Sequence, residues 1–264
     1  MKHTNRVDLR PVGSVDLIDL DIMSRFYGRD FLPYPFMLTR PSRFSTECDF
    51  NAYASTVPDR VDNGDLQIFR GWGGSYANAD IRVECHVQYI PPDTASVRIV
   101  GHRAAQMGYL AKQRPGQDVV DVYELSPYDL GPAIADSVGL TKPGSRAEIV
   151  IPEYARKYAR PIDNGYAAED FSVKSAVVAQ TATEVRRADV TAMATVQCHW
   201  RPTRRWGFDR GKNAIRFLQV KDDGEYIYAH DFSVARPMNQ RTLAERTNEL
   251  IAEDVKSLRE FRND

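Results

Sequence analysis

The chain has 264 residues, of which 42% are hydrophobic and 27% charged, and a formal net charge of −1. That balance describes a folded globule of one large domain or two fused smaller ones, and it excludes a disordered chain or a molecule that binds polyanions with its whole surface. Three scattered cysteines (Cys48, Cys85, Cys198) do not make a disulfide scaffold, no run approaches the roughly 18 apolar residues of a membrane span, and Met1-Lys2-His3-Thr4-Asn5-Arg6 is not followed by the apolar stretch of a secretory signal, so the expected location is the cytoplasm.

From the N-terminus, Asp16, Asp19 and Asp21 predict caps and first-turn charges on a short helix ending near Gly28. Asp30-Phe31-Leu32-Pro33-Tyr34-Pro35-Phe36 places two prolines around a tyrosine, which predicts an extended segment at a sheet edge. A helix is expected from about Thr46 to Val57. Gly71-Trp72-Gly73-Gly74 lacks the preceding strand and the following amphipathic helix of a dinucleotide site, so it reads as a turn.

From Ile81 to Tyr89 apolar and polar residues alternate, the period of a half-buried strand. Ile90-Pro91-Pro92-Asp93-Thr94 follows as a rigid loop. Ser96–Val100, a turn at Gly108 and Tyr109–Ala111 predict a hairpin. Ser126-Pro127-Tyr128-Asp129 predicts a helix start with Ser126 as N-cap and proline first in the helix. Lys142-Pro143-Gly144-Ser145 lacks the leading glycine spacing of a P-loop and also reads as a turn.

A second helix candidate runs from about Ala167 to Arg187. Val190 to Trp200 alternates again, and Val196-Gln197-Cys198-His199 repeats Val83-Glu84-Cys85-His86 in the same phase, with cysteine on the apolar face and histidine on the polar one. Ala214–Leu218, a turn at Asp223-Gly224 and Tyr226–Tyr228 form a second predicted hairpin. Thr242-Leu243-Ala244-Glu245 reads as a capping box ahead of a stripe of Leu243, Thr247, Leu250, Ile251, Val255 and Leu258 at helical spacing. The repeated order of strand, hairpin and helix predicts an α+β protein with a pseudo-two-fold duplicated antiparallel β-sheet, packed helices and a C-terminal helix. The half-repeats are placed at 1–140 and 141–264 of a single domain.

Chemistry is hard to place on these residues. Cys85 and His86 point to opposite faces of a strand and cannot share an ion, and no Cys-x-x-Cys or Gly-x-Ser-x-Gly is present. No catalytic, cofactor-binding or metal-ligating residue is therefore expected. His230-Asp231 reads as a charged pair at a strand end. The segment 201–216 carries Arg201, Arg204, Arg205, Arg210, Lys212 and Arg216 among Trp206 and Phe208, and leaves single-stranded nucleic-acid binding open as an alternative.

The Leu32-Pro33-Tyr34-Pro35 segment resembles that of the EspG family, chaperones of actinobacterial type VII (ESX) secretion. The resemblance continues through Gly101-His102-Arg103, Gly108-Tyr109-Leu110-Ala111, Leu125-Ser126-Pro127 and Asp222-Asp223-Gly224-Glu225-Tyr226. It implies a non-enzymatic cytosolic chaperone or adaptor that binds PE–PPE heterodimers, shields their apolar tip and supports their export. It also implies partner contacts at Tyr89, Ile90, Pro91, Pro92, Asp93 and Thr94, and at Leu243 and Leu250 of a C-terminal helix forming part of a groove wall.

Overall fold

A computed structural model describes residues 7–154, 182–201, 207–230 and 232–263. Strand β1 (Arg10–Asp16) leads into four helices, α1 (Leu17–Phe26), α2 (Glu47–Ala54), α3 (Val57–Asn63) and α4 (Arg70–Ala77). Strands β2 (Ile81–Tyr89), β3 (Val97–Ala104), β4 (Met107–Gln113) and β5 (Val119–Leu125) follow, then helix α5 (Leu130–Val138). After β6 (Ile149–Val150) and β7 (Thr183–Glu184) come β8 (Val190–His199), β9 (Ala214–Val220), β10 (Gly224–Tyr228), β11 (Ala235–Pro237) and the helix α6 (Gln240–Asn263). The described strands form one sheet in the order β1-β5-β4-β3-β2-β8-β9-β10-β11-β6-β7, antiparallel except for β6 with β7. About the β2–β8 seam the order reads the same outward on both sides, down to β1 against β5 and β6 against β11.

The seam carries the repeated motif. Val83 pairs with Cys198 and Cys85 with Val196, so Glu84 and its counterpart Gln197 pair with each other on the pseudo-dyad. Strand parity then sends Val83, Cys85, Val196 and Cys198 to one face, where they join Leu130, Ile134 and Leu243 in a core under α5 and α6. Among the described residues the opposite face has two separate cores. One lies under α1–α4 with Leu17, Leu20, Phe36 and Trp72, and the other gathers Ile149, Tyr154, Leu218 and Tyr226. Residue correspondence outside the seam differs from the sequence alignment, because Val83 faces Gly101 while Val196 faces Ile215, which makes Ile215 the counterpart of Gly101 and not of Val97.

Local chemistry explains the helices and corrects several expectations. Asp16 caps α1 by accepting from the Ile18 N–H at 2.8 Å, and the buried Asp19 accepts from Arg60 at 3.1 Å and from the Tyr53 hydroxyl at 2.6 Å. Thr46 and Asp49 make a reciprocal capping box on α2. The Gly71–Gly74 stretch is helical: Trp72 and Tyr76, stacked one turn apart and buried, outweigh its poor propensity. The Leu32–Phe36 segment lies across the sheet face and not along its edge, which β1 occupies. Phe36 is buried, the Met37 N–H donates to Gln113 of β4, and Tyr34 sits over His86 at 6.2 Å between ring centres.

The β3–β4 turn is Ala105-Gln106, with Gly108 already paired in β4, and the β9–β10 turn takes its positive φ at Asp222 and not at Gly224. Helix α5 starts at Leu130, later than expected, because Ser126–Asp129 closes a separate turn in which the Ser126 hydroxyl accepts from the Tyr128 N–H. Asn239, and not Thr242, caps α6: its side chain accepts from the Thr242 N–H at 2.9 Å, and Glu245 pairs with Arg241. Gly131 lets α6 cross α5 closely, since a Cβ there would stand 2.2 Å from Asn248 Oδ1. The 142–145 loop is strapped to β10, the Gly144 N–H donating to the Glu225 carbonyl. Of the helix expected over 167–187, residues up to 181 lie outside the described residues, and 183–184 form β7.

Between the two cores of that second face, β2 and β8 expose a polar stripe of Arg82, Glu84, His86, Thr195, Gln197 and His199, most of it buried. Glu84 Oε2 lies 3.3 Å from His199 Nε2, and Gln197 bonds both ways with the Asp209 backbone. His102, on the adjoining strand, is enclosed by Trp72, Tyr76 and Tyr109. Burial pushes its pKa down to about 3, with a smaller push from Arg82; burial and then Arg98 push His86 down to about 4.

Both depressed histidines bind protons more readily in the unfolded chain, whose ordinary value is 6.5. Their contribution to stability is present above pH 6.5 and is lost as pH falls toward 4 and 3. Urea midpoints should therefore drop steadily from pH 6.5 to 4.5, above the range of ordinary carboxylates, and His102→Phe should flatten that drop. A second prediction concerns Glu225, whose buried carboxylate accepts from the Thr141 N–H and hydroxyl, the Lys142 N–H and Gln219. Glu225→Ala should cost on the order of 3 kcal/mol by urea denaturation, because those donors lose a charged acceptor.

Candidate protein-docking surface

The loop after β2 is braced at its base, where the Ile90 N–H donates to Thr191 of β8 at 2.8 Å and the Thr94 N–H to Pro91 at 3.2 Å. Pro91, Pro92, Asp93 and Thr94 are exposed, and Ile90 presents half its surface (51%) to solvent. Tyr89 is half-buried; it pairs with Ala192 and lines a cleft of about 50 Å³ with Leu140 and Thr141. Burial raises the Tyr89 pKa, with a further push from Glu225. A stiff loop that holds an apolar side chain in water is a low-entropy contact element.

The C-terminal helix forms a second surface. Its 24 residues span about 36 Å, against about 14 Å for the 9 residues of α5. The predicted stripe is real: Leu243, Thr247 and Leu258 are buried, while Leu250, Ile251 and Val255 pack half-buried against the core. Leu243 is fully buried, so its side chain supports the helix from behind and offers no surface to a partner.

Where α6 outruns α5, a groove of about 530 Å³ opens, lined by Pro127, Tyr128, Ile251, Val255, Lys256 and Arg259. Gly108 makes room for its other wall: a Cβ there would stand 2.9 Å from Pro127 Cα, so only glycine lets the Ser126–Asp129 turn sit on the β3–β4 hairpin. Tyr128 is 75% exposed at the rim. Arg103, also in the groove, is held by Asp80 at 3.2 Å, and Lys256 lies 3.9 Å from Glu260. Apolar centre and charged rim are the composition of a protein-binding patch. Sequence reasoning missed Pro127, Tyr128, Ile251 and Val255 as groove residues, because a stripe at helical spacing does not say where the covering element stops.

The loop and the groove are not adjacent. Arg103 pairs with Ile81 at the start of β2, whereas the loop leaves its far end, about 26 Å away at 3.3 Å per residue.

The other sequence candidates resolve differently. In the basic segment, Arg201 stacks over Trp200 and Phe261, Lys212 pairs with Asp254 at 2.7 Å, and Arg216 stacks over Phe232. These three cations fasten the end of α6 and the β9 face; Arg204, Arg205 and Trp206 lie outside the described residues, as does Asp231 of the His230-Asp231 pair. Cys85 and Cys198 are buried, and burial raises both thiols, Cys85 to about 12 and Cys198 with Asp254 adding to the effect, which keeps them unreactive. Ser75 Oγ lies 2.7 Å from His102 Nε2, but His102 is fully buried and its Nδ1 has no partner, so no third group orients it as a catalytic base. Among the described residues no group of three or more His, Cys, Asp or Glu is placed to hold a metal ion, and no helix is long and apolar enough to cross a membrane.

No family model and no curated protein matches this chain. Among solved structures, it is similar to the Mycobacterium tuberculosis type VII secretion system chaperone EspG5, in the structure of that protein's complex with the PE25–PPE41 dimer. The likeness has a TM-score of 0.47 at 11% identity and covers 90% of this chain and 95% of that one.

Proposed function

We propose that this chain is a cytosolic chaperone or adaptor of type VII secretion that binds PE–PPE heterodimers, keeps them soluble and presents them for export, with no catalytic role. The observation that supports this most is the groove beside α6: an apolar floor of Ile251 and Val255, an aromatic rim at Tyr128 and a charged edge at Lys256 and Arg259. Such a surface suits an apolar helical tip that needs cover from water. The sequence resemblance through Leu32–Phe36 and the β3–β4 hairpin supplies the identity of the partner class. The loop Tyr89–Thr94 provides a second contact through Ile90, and Leu250 acts by setting the angle of α6. The palindromic strand order supports a single domain built from the half-repeats 1–140 and 141–264.

Co-expression with a PE–PPE pair from the same genome should raise that pair's soluble fraction and give a complex that co-elutes on size exclusion. Tyr128→Ala combined with Val255→Asp should weaken the complex at least tenfold by calorimetry, about 1.4 kcal/mol or more, while leaving the circular dichroism spectrum unchanged. Ile90→Asp should have a smaller effect. A pair whose solubility is indifferent to the chain would remove this reading.

A further inference from the structure

The groove beside α6 is apolar at one end and basic at the other. Ile251, Val255 and Arg259 follow one another at four-residue spacing and share one face of α6, so Arg259 lies one turn, about 6 Å, beyond Val255. The lining carries three cations, Arg103, Lys256 and Arg259, against one acid, Glu260. Arg103 is held by Asp80 at 3.2 Å, and Lys256 stands 3.9 Å from Glu260 one turn along the helix. Arg259 is exposed and, among the described residues, makes no ion pair or hydrogen bond. Its place near the C-terminal end of α6 suits a cation, because the helix carries partial negative charge there, but that field does not occupy the guanidinium fork. Arg201 stacks over Phe261 and Lys212 pairs with Asp254, which holds the last turns of α6 and sets Arg259 at a fixed distance from the apolar floor.

We propose that Arg259 recognises a carboxylate on the docking partner, an amphipathic helix that carries Asp or Glu one turn from the apolar residue seated on Ile251 and Val255. This rests on the docking role proposed above and adds a rule of specificity to it. Cover of the apolar floor contributes buried area, which many helices could provide. The guanidinium fork donates two parallel hydrogen bonds to a carboxylate and repels a partner with a cation at that point. A helix laid along α6 meets both features only if its own are one turn apart. A second copy of α6 lacks that pattern, since the one acid a turn from Ile251 or Val255 is Asp254, which is buried against Lys212.

The test is calorimetry of the whole chain with a PE–PPE pair from the same genome, for the natural protein, Arg259→Gln and Arg259→Glu. The natural protein should lose about fivefold in affinity between about 50 mM and about 500 mM sodium chloride. Arg259→Gln should bind about tenfold more weakly at low salt and lose most of that salt dependence. Arg259→Glu should be weaker again, and one Asp-to-Lys or Glu-to-Lys change at the partner's tip should restore its binding. Both variants should melt with the natural protein, since Arg259 holds no group in the free chain. Full binding by Arg259→Glu overturns the assignment and leaves the docking role standing, whereas a pair that fails to bind the natural protein removes both. A natural protein that sediments as a dimer, and that Arg259→Glu turns into a monomer, gives the groove to a second copy and also overturns it.

Discussion

The antiparallel pairing of β2 with β8 is the constraint from which the rest of the architecture follows. It sets Glu84 against Gln197 on the pseudo-dyad and so fixes which side of every neighbouring strand faces α5 and α6. A slip of β2 by one residue would turn Val83 and Cys85 out of the core and drive Arg82 and Glu84 into it. The pairing also explains why the second face is divided: the polar residues of both motif copies converge there and separate the apolar cores on either side. That stripe tolerates burial because most of its members find partners, such as Gln197 with the Asp209 backbone and Arg82 with the Arg201 carbonyl.

Symmetry builds the scaffold, and departures from symmetry create surface. The two halves agree in strand order and in ending on a helix, but α6 is far longer than α5. Beyond the crossing at Gly131, no element among the described residues covers one side of α6, and the half-buried Ile251 and Val255 line a groove. Trp200, Arg201 and Lys212 hold the far end of that helix in place through Phe261 and Asp254, so the groove is a rigid feature and not the frayed end of a helix. A pre-formed surface loses little ordering entropy on binding, which suits the docking role proposed for it.

Much of the fold was legible in the residues. Period-two alternation located β2 and β8 to within a residue, the repeated Val-x-Cys-His gave their shared phase, and helical spacing gave the buried stripe of α6. What failed was local and tertiary. The Ser-Pro-x-Asp and Thr-x-x-Glu patterns point to caps at Ser126 and Thr242, but Ser126 closes a separate 126–129 turn and Asn239 caps α6. Trp72 and Tyr76 turned a glycine-rich stretch into a helix through burial that no local pattern reveals. The site was less legible than the fold. Alternation showed that Arg82, Glu84 and His86 share a face, but not that Tyr34 and α4 cover its surroundings; nothing in the linear sequence marked Tyr128 as a groove rim.

Hydrogen exchange by mass spectrometry, on the chain alone and saturated with a PE–PPE dimer, tests the docking account most directly. The account predicts slowed exchange in peptides covering 90–94 and 248–260, with the β2–β8 seam unchanged because it is already protected. Saturation that leaves both regions exchanging as in the free chain would contradict it.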